Sequence, residues 1–200
     1  MDNMDLVTHS ILNITQRIKV TENGKWAGCG KMKSLRDKKL SAFLILAIFG
    51  LGLTFFGNLY EYVVFVPNLI GLGGIKGLIA FREFFVFSNP VFYYIPLGVI
   101  GFISTFISYA RICDRTTNLN KWLKKATVYG VITILITVII VTQFNFKLFF
   151  GPPPIDDSSL QMMIFFYSIV AFIRLIFDGL TLYGALRAYH FLISNRSSKC

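Results

Sequence analysis

Residues 160–186 read LQMMIFFYSIVAFIRLIFDGLTLYGAL, a run whose only charges are Arg174 and Asp178. A helix needs about 20 mostly apolar residues to cross the hydrocarbon of a bilayer, so this run predicts a membrane span with two charges placed where charge is costly. Three more stretches meet the same requirement, at 40–60, 91–110 and 126–146, and none of them carries a charge. Asn89 and Pro90 stand just ahead of the second, a good helix entry because proline fits the first turn. The sequence therefore predicts an all-α integral membrane protein: a four-transmembrane-helix bundle over 40–188, preceded by a basic region at 1–39 and followed by a tail at 189–200. The first apolar run begins at Leu40 and is too long for the apolar region of a secretory leader.

Composition agrees with the spans. Of 200 residues 54% are hydrophobic and only 15% charged, and the mean hydropathy is +0.62, far greasier than a soluble chain of this length. The net charge of +10 would point to nucleic acid in a soluble protein, but the positions of the charges argue otherwise. Residues 1–39, the 111–125 loop and the tail from Arg187 hold 16 of the 20 Lys and Arg residues. Cytoplasmic loops collect Lys and Arg, so both termini are expected in the cytoplasm. The charge then reads as a topology signal whose partner is anionic lipid of the inner leaflet, with no role for nucleic acid. Cys29, Cys113 and Cys200 form no close pair, and His9 and His190 are the only histidines, so no disulfide framework, zinc site or cofactor motif is signalled.

Outside the spans, Val7, Ile11, Ile14 and Ile18 repeat at helical spacing and predict a short amphipathic helix that packs on the membrane surface or under the bundle. Asn23-Gly24 reads as a tight turn. Asn13-Ile14-Thr15 matches a glycosylation sequon but falls on the predicted cytoplasmic side. The first outer loop, 60–89, is rich in Phe, Leu and Ile. Its stretch 75–87 is apolar yet too short to span, which predicts a short interfacial or re-entrant helix over the outer mouth. Gly151-Pro152-Pro153-Pro154 reads as a stiff turn between spans three and four.

Lipid offers no hydrophobic force between helices, so small and polar residues mark the faces that meet. Gly50, Thr54, Gly57 and Glu61 form such a stripe in the first span; Gly98, Gly101, Thr105 and Ser108 in the second; Gly130, Thr133 and Thr137 in the third; Ala171, Arg174, Asp178, Thr181 and Ala185 in the fourth. Glu61, Arg174 and Asp178 are thereby expected inside. At 1.5 Å per residue, Glu61 lies about 31 Å up the first span, with Arg174 about 20 Å and Asp178 about 13 Å up the fourth. Side chains lean toward their helix N-terminus, which tips Glu61 and Arg174 toward each other. A lone arginine at mid-membrane costs at least about 2.5 kcal/mol, so a partner is expected. Asp178, one turn from Arg174, offers a second one, and a neutralised pair that merely lets the helix insert is the plainer alternative. Asn58 and Tyr60 flank Glu61 and predict a polar pocket near the outer mouth. Tyr93 and Tyr94 read as interface anchors.

The run Leu59-Tyr60-Glu61-Tyr62-Val63-Val64-Phe65-Val66-Pro67-Asn68, followed by Phe81-Arg82-Glu83-Phe84-Phe85 and Ser88-Asn89-Pro90-Val91-Phe92-Tyr93, resembles small, largely uncharacterised four-span bacterial membrane proteins. Those are similar to the broader anthrone-oxygenase-like membrane family. The resemblance implies an inner-membrane setting and nominates Tyr60, Glu61, Pro67, Asn68, Arg82, Asn89 and Pro90 as its characteristic positions.

Three functions fit these features. The first is a pocket that binds or acts on a small lipophilic molecule, with Glu61 as acid/base or acceptor, Arg174 as its countercharge, Asp178 as the third candidate catalytic residue, and Asn58, Tyr60, Asn68, Arg82 and Asn89 as ligand contacts. The second is an oligomeric transporter or channel subunit built from copies of this chain. The third is a structural or assembly protein without its own chemistry. Whether the chain is an enzyme is left open by its sequence.

Overall fold

The computed structural model describes residues 27–84, 91–112, 117–152 and 156–197. The amphipathic N-terminal stretch, Asn89, Pro90, Cys113 and Cys200 lie outside them, as do the side chains of Tyr93 and Tyr94. By its internal contacts the chain divides into residues 1–40 and 41–200. Of the first unit the helical backbone is described from Ala27 and the side chains from Lys38. The second contains everything that follows.

Every regular element among the described residues is helical. Helix α1 spans Ala27–Tyr60 and continues through a π-helical turn, Glu61–Phe65, into the short α2, Val66–Ile70. Helix α3 is Ile75–Phe84, α4 is Val91–Ala110, and α5, Asn118–Ile139, runs on as a π-helical segment over Ile140–Phe150. Helix α6 covers Asp157–Ser197. Among the described residues three helical stretches are long and apolar enough to cross a membrane, Lys38–Ile70, Asn118–Phe150 and Asp157–Ser194, and a shorter apolar one covers Pro96–Ala110. The observed helices outrun the apolar runs at 40–60, 126–146 and 160–186 because polar residues at the ends, such as Asn118 to Lys125, propagate the helix once it is nucleated. Hydropathy marks only the part that is apolar all round.

The radial distribution of polarity is the reverse of a soluble protein's. Phe49, Phe56, Phe106, Phe146, Phe165 and Tyr183 face outward, whereas Thr54, Asn58, Glu61, Ser104, Thr105, Ser108, Thr133, Arg174, Asp178 and Thr181 are buried. Several buried hydroxyls are satisfied inside their own helix by donating to the carbonyl one turn back: Thr54 to Gly50, Thr105 to Gly101, Ser108 to Ser104 and Thr181 to Phe177. Helices α1 and α4 touch backbone to backbone. A Cβ built on Gly50 would lie 2.6 Å from the Leu97 carbonyl oxygen, and one on Gly101 would lie 2.7 Å from the Leu51 nitrogen.

Pro67 accounts for the π turn ahead of it. It has no N–H to donate, and its ring would crowd the Val63 carbonyl, so the i→i−4 ladder cannot pass unchanged. The chain widens instead, and the Val66 N–H reaches back to the Glu61 carbonyl, five residues earlier. The extra residue shifts the buried face by one position. Glu61, Phe65 and Leu69 are buried, and Asn68 is turned outward.

Helix α3 is pinned over the end of the assembly near Glu61. Leu78 is fully buried with Leu69, Leu148 and Leu160 in one apolar cluster. Arg82 donates from Nε to the Leu148 carbonyl at 2.6 Å, from Nη1 to Gly151 at 2.9 Å and from Nη2 to Lys147 at 2.6 Å. The planar guanidinium thus closes the carbonyl end of the π-helical segment. At the other end of α3, the Ile75 N–H donates to Asp157 Oδ1 at 2.9 Å. Gly74, at φ 104°, lets that carboxylate approach, since a Cβ there would lie 2.7 Å from the same oxygen.

Helix α6 begins on an acidic cap. Asp156 Oδ1 accepts from the Ser159 N–H at 2.6 Å and from the Ser158 hydroxyl at 2.8 Å. These hydrogen bonds, the Ser159 N–H foremost, hold its carboxyl below the usual carboxylate range. A carboxylate with a lowered folded pKa stabilises above its unfolded pKa and loses that contribution as pH falls through the folded value. Asp156→Ala is therefore expected to lower the Tm at neutral pH, and in a series of thermal melts the gap to the parent protein should narrow as pH falls below 3.8 and close only below the lowered folded value.

Candidate functional site

The charge just past the first apolar run meets one from the fourth inside the protein. Arg174 Nη2 lies 2.8 Å from Glu61 Oε2, and both residues are almost fully buried, at 4% and 5% exposure. The Tyr167 hydroxyl donates to the other carboxylate oxygen, Glu61 Oε1. Both oxygens of Glu61 are thus engaged by donors from α6, which presents it as a fixed negative charge held against a fixed positive one. The π turn places it: Glu61 is the first residue after α1, where the helix widens and its face rotates.

Asp178 is buried to 3% exposure but is held separately. Asn58 Nδ2 donates to its Oδ2 at 2.6 Å, and Thr133 of α5 stands beside the same carboxylate. The i,i+4 pairing of Arg174 with Asp178 yields to a division of labour because the Arg174 side chain leans toward the N-terminus of α6, away from Asp178 and toward Glu61. One helix face, read at Tyr167, Ala171, Arg174, Asp178 and Thr181, supplies the whole fourth-helix side of the cluster.

Beside the ion pair lies a cavity of about 250 Å³. Thr54, Asn58 and Glu61 of the first helix and its π turn form one wall, and Arg174 reaches in from α6. Gly98, Val99, Phe102 and Ile103 of α4 face Thr133, Ile134, Thr137, Val138, Val141 and Asn145 of α5 and its π-helical continuation. The wall is overwhelmingly apolar; its charged groups, Glu61 and Arg174, lie on one side together with Asn58, and Thr133, Thr137 and Asn145 add polar groups along α5 and its continuation. Val99, Ile103, Ile134, Val138 and Val141 line the cavity and are also 41–54% exposed on the outside. The cavity consequently opens sideways, between α4 and α5, onto the apolar outer surface. Asn145 Oδ1 and Arg174 Nε, both on lining residues, are buried without a hydrogen-bond partner in the protein. Buried polar atoms of this kind are rare and mark places where another group completes the bonding.

The remaining candidates fall elsewhere. Tyr60 is exposed and packs its ring on Phe65, 5.7 Å between centroids; adjacent helical residues point about 100° apart, so it cannot share the face of Glu61. Asn68 is exposed and donates to the Val64 carbonyl at 2.7 Å. Arg82 is occupied by the three carbonyls described above, away from the cavity lining. Asn89 lies outside the described residues. Reading the stripes two steps further would have found what was missed: Tyr167 is four residues before Ala171, and Val141 and Asn145 continue Thr137 at steps of four. Among the described residues no group of three His, Cys, Asp or Glu side chains is placed to hold a metal ion. The chain matches none of the protein-family models, curated proteins or solved structures with which it was compared.

Proposed function

We propose that the protein is a four-span membrane protein that takes a small lipophilic molecule from the bilayer and holds it between α4 and α5. The molecule's polar end meets the Asn58, Glu61 and Arg174 wall, and its apolar body fills the rest of the cavity. The observation that carries this reading is the cavity itself: apolar, open toward the surface that faces lipid, and ended on one side by a buried ion pair. A dry cavity of about 150 Å³ already accepts a molecule the size of benzene, so about 250 Å³ suits a somewhat larger compact lipophile. Helix α4 is the fourth span of this reading, since its 20 residues reach about 30 Å, the thickness of the hydrocarbon core. Both termini lie with the basic segments on the cytoplasmic side of a bacterial inner membrane. The likeness of residues 59–68 to the small four-span proteins points the same way.

Because both Glu61 oxygens are engaged, the arrangement favours recognition over proton transfer: it offers a ligand a fixed dipole. Val138 lines the cavity from α5 and is 54% exposed, so Val138→Trp fills the opening without disturbing the ion pair. Organic extracts of the purified protein, compared by mass spectrometry, should contain a lipophile in stoichiometric amount from the parent and at least about tenfold less from Val138→Trp, with unchanged Tm. Identical extracts from the two would sink the proposal. Ion flux above that of empty liposomes, equally abolished by Val138→Trp, would favour a channel instead.

A further inference from the structure

At the other end of the helices from Glu61, two cations converge on one ring. Lys125 Nζ lies 4.8 Å from the centroid of the Trp122 ring, and Arg187 Cζ lies 5.5 Å from it. The Arg187 guanidinium is also 5.5 Å from the Phe191 ring, and Tyr183 meets Trp122 edge-on at 5.5 Å. Tyr183, Arg187 and Phe191 repeat every four residues and so share one face of α6, opposite Trp122 and Lys125 of α5.

Each cation gains from the ring, but the two repel each other. Among the described residues neither Lys125 nor Arg187 is paired with a carboxylate. Arg187 Nε is buried with no hydrogen-bond partner, which leaves a donor unused inside the cluster. An oxyanion seated against both cations would offset the repulsion. The surroundings say which oxyanion. The cluster sits where the apolar part of α6 passes into its polar end, and directly beside it Tyr183 and Leu186 are 51% and 44% exposed as apolar wall. A free phosphate has no use for that wall, whereas a phospholipid places its acyl chains along it. Tryptophan and tyrosine at this level match the headgroup boundary of a bilayer.

We propose that Trp122, Lys125 and Arg187 form a binding site for the phosphate of an anionic phospholipid whose chains run along Tyr183 and Leu186. The site is independent of the cavity at Glu61. Native mass spectrometry of the detergent-solubilised protein, titrated with phosphatidylglycerol, phosphatidylcholine or inorganic phosphate, tests it. The parent should bind phosphatidylglycerol more tightly than phosphatidylcholine. Lys125→Gln and Arg187→Gln should each weaken phosphatidylglycerol binding about fivefold, and the double variant about 25-fold. Arg111→Gln, which also removes a cation from over a ring, 4.6 Å from Phe43, should leave it unchanged. Lys125 is exposed, so Lys125→Gln remains readable even if Arg187→Gln does not fold. Equal phosphatidylglycerol binding by the parent and Lys125→Gln, or phosphatidylcholine binding as tight as phosphatidylglycerol, would overturn the proposal. Inorganic phosphate that competes phosphatidylglycerol off at equal concentration would replace the lipid with a free anion and overturn it as well.

Discussion

Arg174→Leu is expected to cost about 3–5 kcal/mol and to lower the Tm by roughly 10 °C or more, measured in detergent or nanodiscs. The large figure comes from what is left behind. Glu61 is only 5% exposed, and without Arg174 its charge stays buried, with the Tyr167 hydroxyl still donating to it. Water cannot compensate at that depth, and an unpaired buried charge is far more costly than an exposed one. The double variant Glu61→Gln with Arg174→Leu removes both charges and should recover most of the loss, because a buried pair replaced as a whole is often neutral. Equal Tm values for the single and the double variant would show that the arginine acts through packing and not through charge. Tyr167→Phe, which removes one hydrogen bond to a charged group, belongs in the same series with a smaller loss of about 1.5–3 kcal/mol.

The ion pair was legible because its physics is one-dimensional. Charges within an apolar helix must face inward, a stripe at steps of three and four gives the face, and the rise per residue gives the depth. Joining Glu61 to Arg174 took one fact more, the direction in which side chains lean. The same stripe placed Asp178 inside, but its donor, Asn58, lies on the neighbouring turn from the glutamate, and none of these facts paired the two. Where the backbone leaves regular geometry, one-dimensional reading stops. The π turn at Glu61–Phe65 rotates everything after it, so that Leu69 takes the buried place that two regular turns would have given Asn68. Arg82 was visible as a residue with a task, but its task was set by the carbonyls of Lys147, Leu148 and Gly151, more than 60 residues away and exposed by a helical segment whose widening nothing in its own composition announces. The cavity is of the same kind. Its lining comes from four separate stretches of the sequence, and only their packing makes a space between them.

The close approach of α1 and α4 beside the cavity gives the second large effect. Gly101→Ala is expected to destabilise by about 1–3 kcal/mol, and Gly50→Ala by a similar amount. In each case the new methyl would meet backbone, not a side chain that can swing away: the Leu51 nitrogen and the Gly50 carbonyl carbon for Gly101, the Leu97 oxygen and the Gly101 Cα for Gly50. Two helix backbones can answer only by moving apart. Separation at Gly50 and Gly101 would carry Gly98 away from Thr54, whose hydroxyl oxygen would lie 2.6 Å from a Cβ built on Gly98, and so reshape the cavity wall that those two residues share. Gly52→Ala is the matched control. It sits in the same helix, a Cβ there meets nothing within 4 Å, and the exchange should be neutral or stabilise by up to about 1 kcal/mol through helix propensity alone. Because the Gly50 and Gly101 methyls would occupy one contact, the double variant should lose less than the sum of the singles. If Gly52→Ala and Gly101→Ala shift the Tm alike, the close approach of α1 and α4 is not what holds the cavity in shape, and the four helices find their separation by other contacts.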